Sequence, residues 1–334
     1  MTAPTARRAL MATAAAALLA ATGRATAQAS SQAFPSKPIK LIVGFAPGGA
    51  VDIIARAVAQ QITSTLGQTV VVENKPGAGT NIAIRQLIDS PADGYTLMLT
   101  ANSIAANPAL YQPAPFDPTK DVTPIALVGR VPVVIASNAA SGPDNQLSTL
   151  GKLMAASKAR PNSVSYGSPG NGSTPHLAVE LFARAAGISL LHVPYKGGSP
   201  AINDVLAGHV QVVAVNALEV QPHVMAGKLR VLTVLAPTRT AIFPDVPSVA
   251  EAGFPGFEAS VWYGFIAPAG LPTAVVAQLH GAIQKAMATP EVKDRLVNAG
   301  GEVQPGPADL LGKLIASEQA RYSKLIREAS IKPD

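Results

Sequence analysis

The chain has 334 residues, 48% of them hydrophobic and 14% charged, with a formal net charge of +6 and no cysteine. Without cysteine there is no structural disulfide, thiol nucleophile, thiolate metal site or lipidated cysteine anchor. A chain of this length buries a large core without covalent staples, and its length suggests two domains.

Residues 1–29 read as a secretory signal peptide. Arg7-Arg8 precede an apolar run from Ala9 to Ala21, and cleavage-type triplets end at Ala27 and Ala29. A membrane span needs roughly 20 apolar residues, more than this run offers. The paired arginines admit twin-arginine export, but Ala6 and Ala9 depart from that pattern, so the Sec route stays open. The leader's only ionisable side chains are three arginines, so the mature chain carries about +3, too little for general anion steering. No run of Lys and Arg marks a nucleic-acid surface.

After the leader, 39–43 reads as an apolar strand that turns through Gly44, Gly48 and Gly49 into a helix. Ile53, Ile54, Ala57, Val58 and Ile62 line one face of that helix, which ends near Gly67. A strand over 69–74, a glycine turn over 75–81 and a helix over 82–90 repeat the unit. Asp93-Gly94 then turn the chain into a strand over 95–100 that ends in the polar Thr100-Ala101-Asn102-Ser103. This alternation predicts a parallel, doubly wound sheet with ligands at the carboxyl ends of its strands.

From Asn107-Pro108 to Pro124 the chain is rich in proline and polar residues, and the apolar run over 125–136 reads as a crossing into a second domain. That domain has a helix over 150–159, a strand over 163–166, a glycine turn over 167–176 and a helix over 177–186, with Thr174 as N-cap and Pro175 at the first helical position. A strand over 190–195, a helix over 201–207 and a strand over 210–215 follow, and 229–236 reads as the return crossing. A strand over 261–267 and helices over 274–288, 291–298 and 308–329 then pack back on the first domain. Two crossings leave a cleft with a hinge beneath it.

The strongest signal is the pair of glycine turns at 46–52 and 167–176, each in front of a helix. Such turns present unpaired backbone N–H groups with the positive end of the helix dipole behind them, which suits an anion. The bland alternative is that the glycines serve only tight turns. Asp52, inside the first helical turn, reads as loop support because an anion beside it would be repelled. His176 is placed to orient the second loop. The glycines at 77 and 79 lack the third of a dinucleotide fingerprint, no glycine loop continues into Gly-Lys-Ser/Thr, and no Gly-x-Ser-x-Gly elbow exists, so no nucleotide cofactor or hydrolase nucleophile is expected. His176 and Glu180, four apart, fit either a metal or a plain polar pair; without a further ligand cluster no metal is expected. Trp262-Tyr263 fits a cleft wall or a core equally.

Phe45-Ala46-Pro47-Gly48-Gly49-Ala50-Val51-Asp52, Val72-Glu73-Asn74-Lys75-Pro76-Gly77-Ala78-Gly79, Asp93-Gly94-Tyr95-Thr96-Leu97, Val193-Pro194-Tyr195-Lys196-Gly197 and Pro222-His223-Val224-Met225-Ala226-Gly227-Lys228 stand in an order that resembles the Bug family, periplasmic solute-binding proteins of tripartite tricarboxylate transporters. The resemblance covers almost the whole mature chain. It implies an α/β, two-domain Venus flytrap whose loops at 46–52 and 167–176 hold ligand carboxylates through backbone N–H groups and ordered water, and whose closure creates the surface a membrane permease reads. The expected domains are 30–133 with 237–334, and 134–236. The expected ligand contacts are Phe45, Ala46, Gly48, Gly49, Ala50, Thr100, Asn102, Ser168, Gly172, Ser173, Thr174 and Asn216. One departure is Val215, where many members carry an Asp; its loss argues against an amino-dicarboxylate and leaves room for an apolar ligand body.

The expected function is capture, by a periplasmic monomer, of a di- or tricarboxylate or an aromatic acid for delivery to membrane permease subunits, with no cofactor and no chemistry performed. The alternatives are an orphan binding protein that signals to a partner, and an exported enzyme on the same scaffold, for which the sequence shows no nucleophile, base or metal site.

Overall fold

A computed structural model describes residues 34–139, 147–298 and 300–333; the leader lies outside them. Lys37–Asp334 form one compact unit. Among the described residues ten strands and ten α-helices alternate. β1 (Ile39–Val43) leads through the first glycine turn into α1 (Ala50–Leu66), which is helical because Ile54, Ala55, Val58, Ala59 and Ile62 recur on one buried face. It stops where Gly67 turns left-handed and returns its N–H to the Thr63 carbonyl. Then come β2 (Val70–Asn74), α2 (Asn81–Ile88), β3 (Thr96–Ala101), α3 (Ser103–Leu110) and the long β4 (Val122–Asn138). The middle of the chain forms α4 (Leu150–Ala159), β5 (Ser165–Ser168), α5 (Thr174–Ala186), β6 (Leu191–Pro194), α6 (Gly198–Leu206), β7 (Val212–Asn216), α7 (Ala217–Met225) and β8 (Leu229–Val234). The last elements are β9 (Ser260–Pro268), α8 (Thr273–Met287), α9 (Pro290–Val297), β10 (Glu302–Val303) and α10 (Ala308–Ala329).

Two parallel groups, β2-β1-β3 and β7-β5-β6, flank an antiparallel centre of β9 and β4. β4 changes partners part-way: Val122 to Pro132 pair with β9, then Val133 to Ser137 pair with β7 and Val134 to Asn138 with β8. The result is two α/β lobes joined along one strand. Where the partners change, three chain segments tie together: Leu235 donates to the Val133 carbonyl, Ala259 to that of Leu235, and Val133 to that of Ala259. The stretch after residue 237 makes contacts with β8 and α5. Val234 bridges to Ser248, and Phe254 and Phe257 pack edge-on against Phe182 of α5.

Two helices are absent from the sequence reading, and each carries a proline at its sixth position, Pro108 in α3 and Pro222 in α7. A proline inside a helix costs about 3 kcal/mol. In α3 Ile104 and Leu110 are buried in a core with Trp262, Leu311, Ile315 and Tyr322, and burying each such side chain returns about 1.5–3 kcal/mol. Tertiary packing outweighs the local signal. At α5 the N-cap is Ser173, one residue earlier than expected, because Thr174 and Pro175 already belong to the first turn.

Candidate functional site

At the β1–α1 turn Gly48 adopts φ of 81°, a left-handed bend that only glycine takes without strain, and its N–H donates to Asp52 Oδ2 at 3.0 Å. Asp52 also accepts from Asn74 Nδ2 at 2.9 Å and from Arg56 Nε at 3.0 Å. Burial pushes the Asp52 carboxyl up, but the bonds from Arg56, Gly48 and Asn74 outweigh it and leave the pKa below the ordinary value. The turn also reaches the other lobe, since the Ala46 N–H donates to the Lys196 carbonyl at 2.7 Å.

The β5–α5 turn is held by neutral groups. The Gly172 N–H donates to His176 Nδ1 at 3.2 Å, and Ser173 caps α5 by accepting from the His176 N–H at 3.4 Å. Ser168 Oγ accepts from the Gly170 N–H at 3.1 Å and lies 2.7 Å from His192 Nε2. His192 stacks between His176, 4.2 Å away, and Tyr166, 4.8 Å away. Burial lowers its pKa to about 4, which keeps the imidazole neutral.

The two turns meet at a partly open cavity of about 30 Å³, room for about two water molecules. Five helix N-termini converge on it: Gly49 to Val51 of α1, Ser103 of α3, Ser173 to Pro175 of α5, Gly198 of α6 and Asn216 with Glu219 of α7. Phe45 and Pro169 line both this cavity and an outer cleft of about 290 Å³. Each N-terminus exposes N–H groups that lack an intrahelical partner, so the cavity gathers partial positive charge.

One carboxylate sits in that field. Glu219 is buried; its Oε1 accepts from Asn216 Nδ2 at 2.7 Å, and it forms no ion pair among the described residues. Burial raises its pKa to about 7, although the N–H groups of Ala50 and Asn216 and the Asn216 side chain pull it down. A Cβ on Gly49 would lie 3.3 Å from Oε2, and one on Gly198 would overlap the carboxylate. Asn216 Oδ1 and the Tyr263 hydroxyl are buried at this cavity without a hydrogen-bond partner among the described residues. The Tyr263 pKa is raised by burial and then by the charge of Glu219.

Residues 54–331 match the model of the TctC family, tripartite tricarboxylate transporter family receptors. The chain belongs to this family. It is a Bug-type periplasmic binding protein, and the family is one of solute-binding proteins, not of enzymes. The receptor is 36% identical over 314 residues to the Bordetella pertussis protein BugT, spanning 93% of this chain and 95% of BugT. A solved structure of Rhodopseudomonas palustris MatC with bound malate is 29% identical, with a TM-score of 0.82 over 88% of this chain and all of that one. A second R. palustris structure, Rpa4515 with adipate, is 31% identical, with a TM-score of 0.84 over 90% of this chain and all of that one.

In this receptor Phe45, Gly49, Ala50, Ser173, Thr174 and Asn216 line the cavity. Other expected contacts are committed elsewhere. The Gly48 N–H goes to Asp52, Ala46 bridges the lobes, and Gly172 and Ser168 bond within the second turn's own support. Asn102 bonds to Tyr322, Ser260 and Trp262 at 3.0–3.3 Å, and the Thr100 hydroxyl points to the Ala101 carbonyl at 3.4 Å. Glu180 accepts from Tyr166 at 2.6 Å, and no metal-binding group of three or more His, Cys, Asp or Glu occurs among the described residues. Of the aromatic tandem, Tyr263 lines the cavity and Trp262 fills the core. Glu219 escaped the sequence reading because Pro222 hid its helix. The available signal was the capping-box spacing of Asn216 and Glu219, N-cap and third helical position.

Proposed function

We propose that this receptor captures a small organic carboxylate between its lobes in the periplasm and presents it to the membrane subunits of a tripartite transporter. The convergence of five helix N-termini on one cavity between the turns carries the reading. Each N-terminus offers an anion about 0.3–1 kcal/mol, up to about 2 when partly buried, and each charge-assisted hydrogen bond about 1.5–3. Micromolar affinity corresponds to about 8 kcal/mol, within reach of a handful of such contacts without any arginine or lysine. The malate and adipate held by the relatives support a di- or tricarboxylate over an aromatic acid.

A cavity of about 30 Å³ holds about two waters, less than such a ligand needs, so capture requires the lobes to part. The moving bodies lie on either side of the tie between Val133, Leu235 and Ala259, which shifts the second boundary from residue 237 toward 259. The leader at 1–29 supplies export, by either route, and the receptor acts as a monomer. Thermal-shift assays with di- and tricarboxylates, aromatic acids, sugars and metal ions test the function. A ligand at 100 times its dissociation constant stabilises by about 2.7 kcal/mol. Stabilisation by carboxylates is the expected result, and stabilisation by sugars or cations alone overturns the reading.

A further inference from the structure

We propose that Glu219 meets the ligand as a neutral acid: its carboxyl takes up a proton when a ligand carboxylate enters the cavity and donates an O–H bond to it, so the receptor captures each ligand together with one proton. This rests on carboxylate capture and adds to it a residue that sets its pH dependence. Three observations carry it.

The first is shared space. Glu219 is buried and lines the cavity of about 30 Å³ on which the five helix N-termini converge. A ligand carboxylate drawn to those N-termini arrives beside it. Two carboxylates sharing one site do not both stay ionised, and a proton between them turns repulsion into a short charge-assisted hydrogen bond.

The second is confinement. A carboxylate has about four lone-pair sites, and the Ala50 N–H, the Asn216 N–H and the Asn216 side chain occupy three of them at Glu219. The fourth is left for the proton. A Cβ on Gly198 would overlap the carboxyl, and one on Gly49 would lie 3.3 Å from Oε2. Held this closely, the group answers an incoming anion by changing its protonation and not its position.

The third is the charge around it. Among the described residues the elements that pack on α7 or line the cavity bring Asp52, tied to Arg56; Arg130, tied to Glu258 and Glu302; Asp204, bound to Tyr195 and His209; and Glu180, bound to Tyr166. They also bring His176 and Arg184 of α5, Arg230 of β8, Tyr263 of β9 and, on α7 itself, His223. None forms an ion pair with Glu219, whose pKa of about 7 is set by burial and hydrogen bonds. No cation is at hand to neutralise a second carboxylate, which therefore raises that pKa further.

Isothermal titration of the mature protein with malate, succinate, glutarate and adipate tests this between pH 7.5 and 8.5, where these diacids are doubly ionised. Repeating each titration in buffers of different ionisation enthalpy counts the protons. A diacid that binds is expected to bring most of one proton with it at pH 8, and its Kd should weaken about fivefold per pH unit, since affinity falls with rising pH when the complex holds the extra proton. Glu219→Gln, which offers an amide N–H in place of the O–H, should bind with no proton uptake and a flat profile. If that variant fails to fold, wild-type protein labelled with carbon-13 at its glutamate carboxyls decides: the resonance titrating near pH 7 should move above pH 8 on adding ligand. Binding without proton uptake, equal uptake in a folded Glu219→Gln, or an unmoved carboxyl midpoint overturns the proposal and leaves carboxylate capture standing. If none of the diacids binds at any pH, capture itself falls and the proposal with it.

Discussion

In the β1–α1 turn the chain answers its own helix N-terminus with charge, Asp52 on the Gly48 N–H and Glu219 against Gly49 and Ala50; in the β5–α5 turn a neutral imidazole and a hydroxyl do the same work. The turns have similar sequences, glycines followed by a helix, yet one is electrostatically filled and the other open. The difference shows that a helix N-terminus becomes a ligand site only when the rest of the fold has not already supplied its anion.

The most severe way to break this asymmetry is Gly198→Ala. The added Cβ overlaps the Glu219 carboxylate, and overpacking of this kind costs about 1–3 kcal/mol. The expected result is a destabilised receptor whose affinity for any carboxylate drops at least 100-fold, measured by titration against wild type. Retained affinity would mean that Glu219 is not fixed where the cavity needs it.

Acid titration sharpens the comparison, because the buried ionisable groups of the two turns work in opposite directions. Glu219 has a pKa of about 7 in the fold against 4.5 ordinarily, so the folded state holds the extra proton and stability falls as pH rises from 4.5 toward 7. His192 has a pKa of about 4 against 6.5, so the unfolded state holds the extra proton and stability rises from pH 4 to 6.5. Each contributes about 3 kcal/mol across its window. Urea melts of wild type should therefore vary little between pH 4.5 and 6.5, whereas Glu219→Gln should gain about 3 kcal/mol over that range. Parallel profiles for the two proteins would contradict this assignment.

The supports of the turns come next. His176→Leu orphans the buried Gly172 N–H, at about 1–3 kcal/mol, and Asp52→Asn weakens the bond to the more exposed Gly48 N–H, at about 1 kcal/mol. Their pH responses should differ. The Asp52 pKa is lowered, so its contribution is present above the ordinary value of 3.8 and is lost as pH falls through its depressed value. The deficit of Asp52→Asn should therefore shrink in strong acid; a deficit of constant size would show that its charge plays no part. Ser173→Ala has the smallest expected effect, about 1 kcal/mol for a lost N-cap, read as a small fall in melting temperature. A larger fall would mean that the Ser173 hydroxyl does more than cap α5.

Much of the fold was legible in the chain because strands and helices with one apolar face announce themselves by periodicity: β1, α1 and α4 follow directly from their residues. Both glycine turns were legible for the same local reason, as was the support Asp52 gives to its own loop four residues back. Only the tertiary structure decided what those turns face. α3 and α7 form against the local cost of Pro108 and Pro222 because distant segments bury them, and no window of sequence contains that burial. The same folding carries Glu219 across some 170 positions of chain to lie against Gly49. The charge within the cavity depends on that long-range contact, whereas the helix dipoles around it were written into the local sequence.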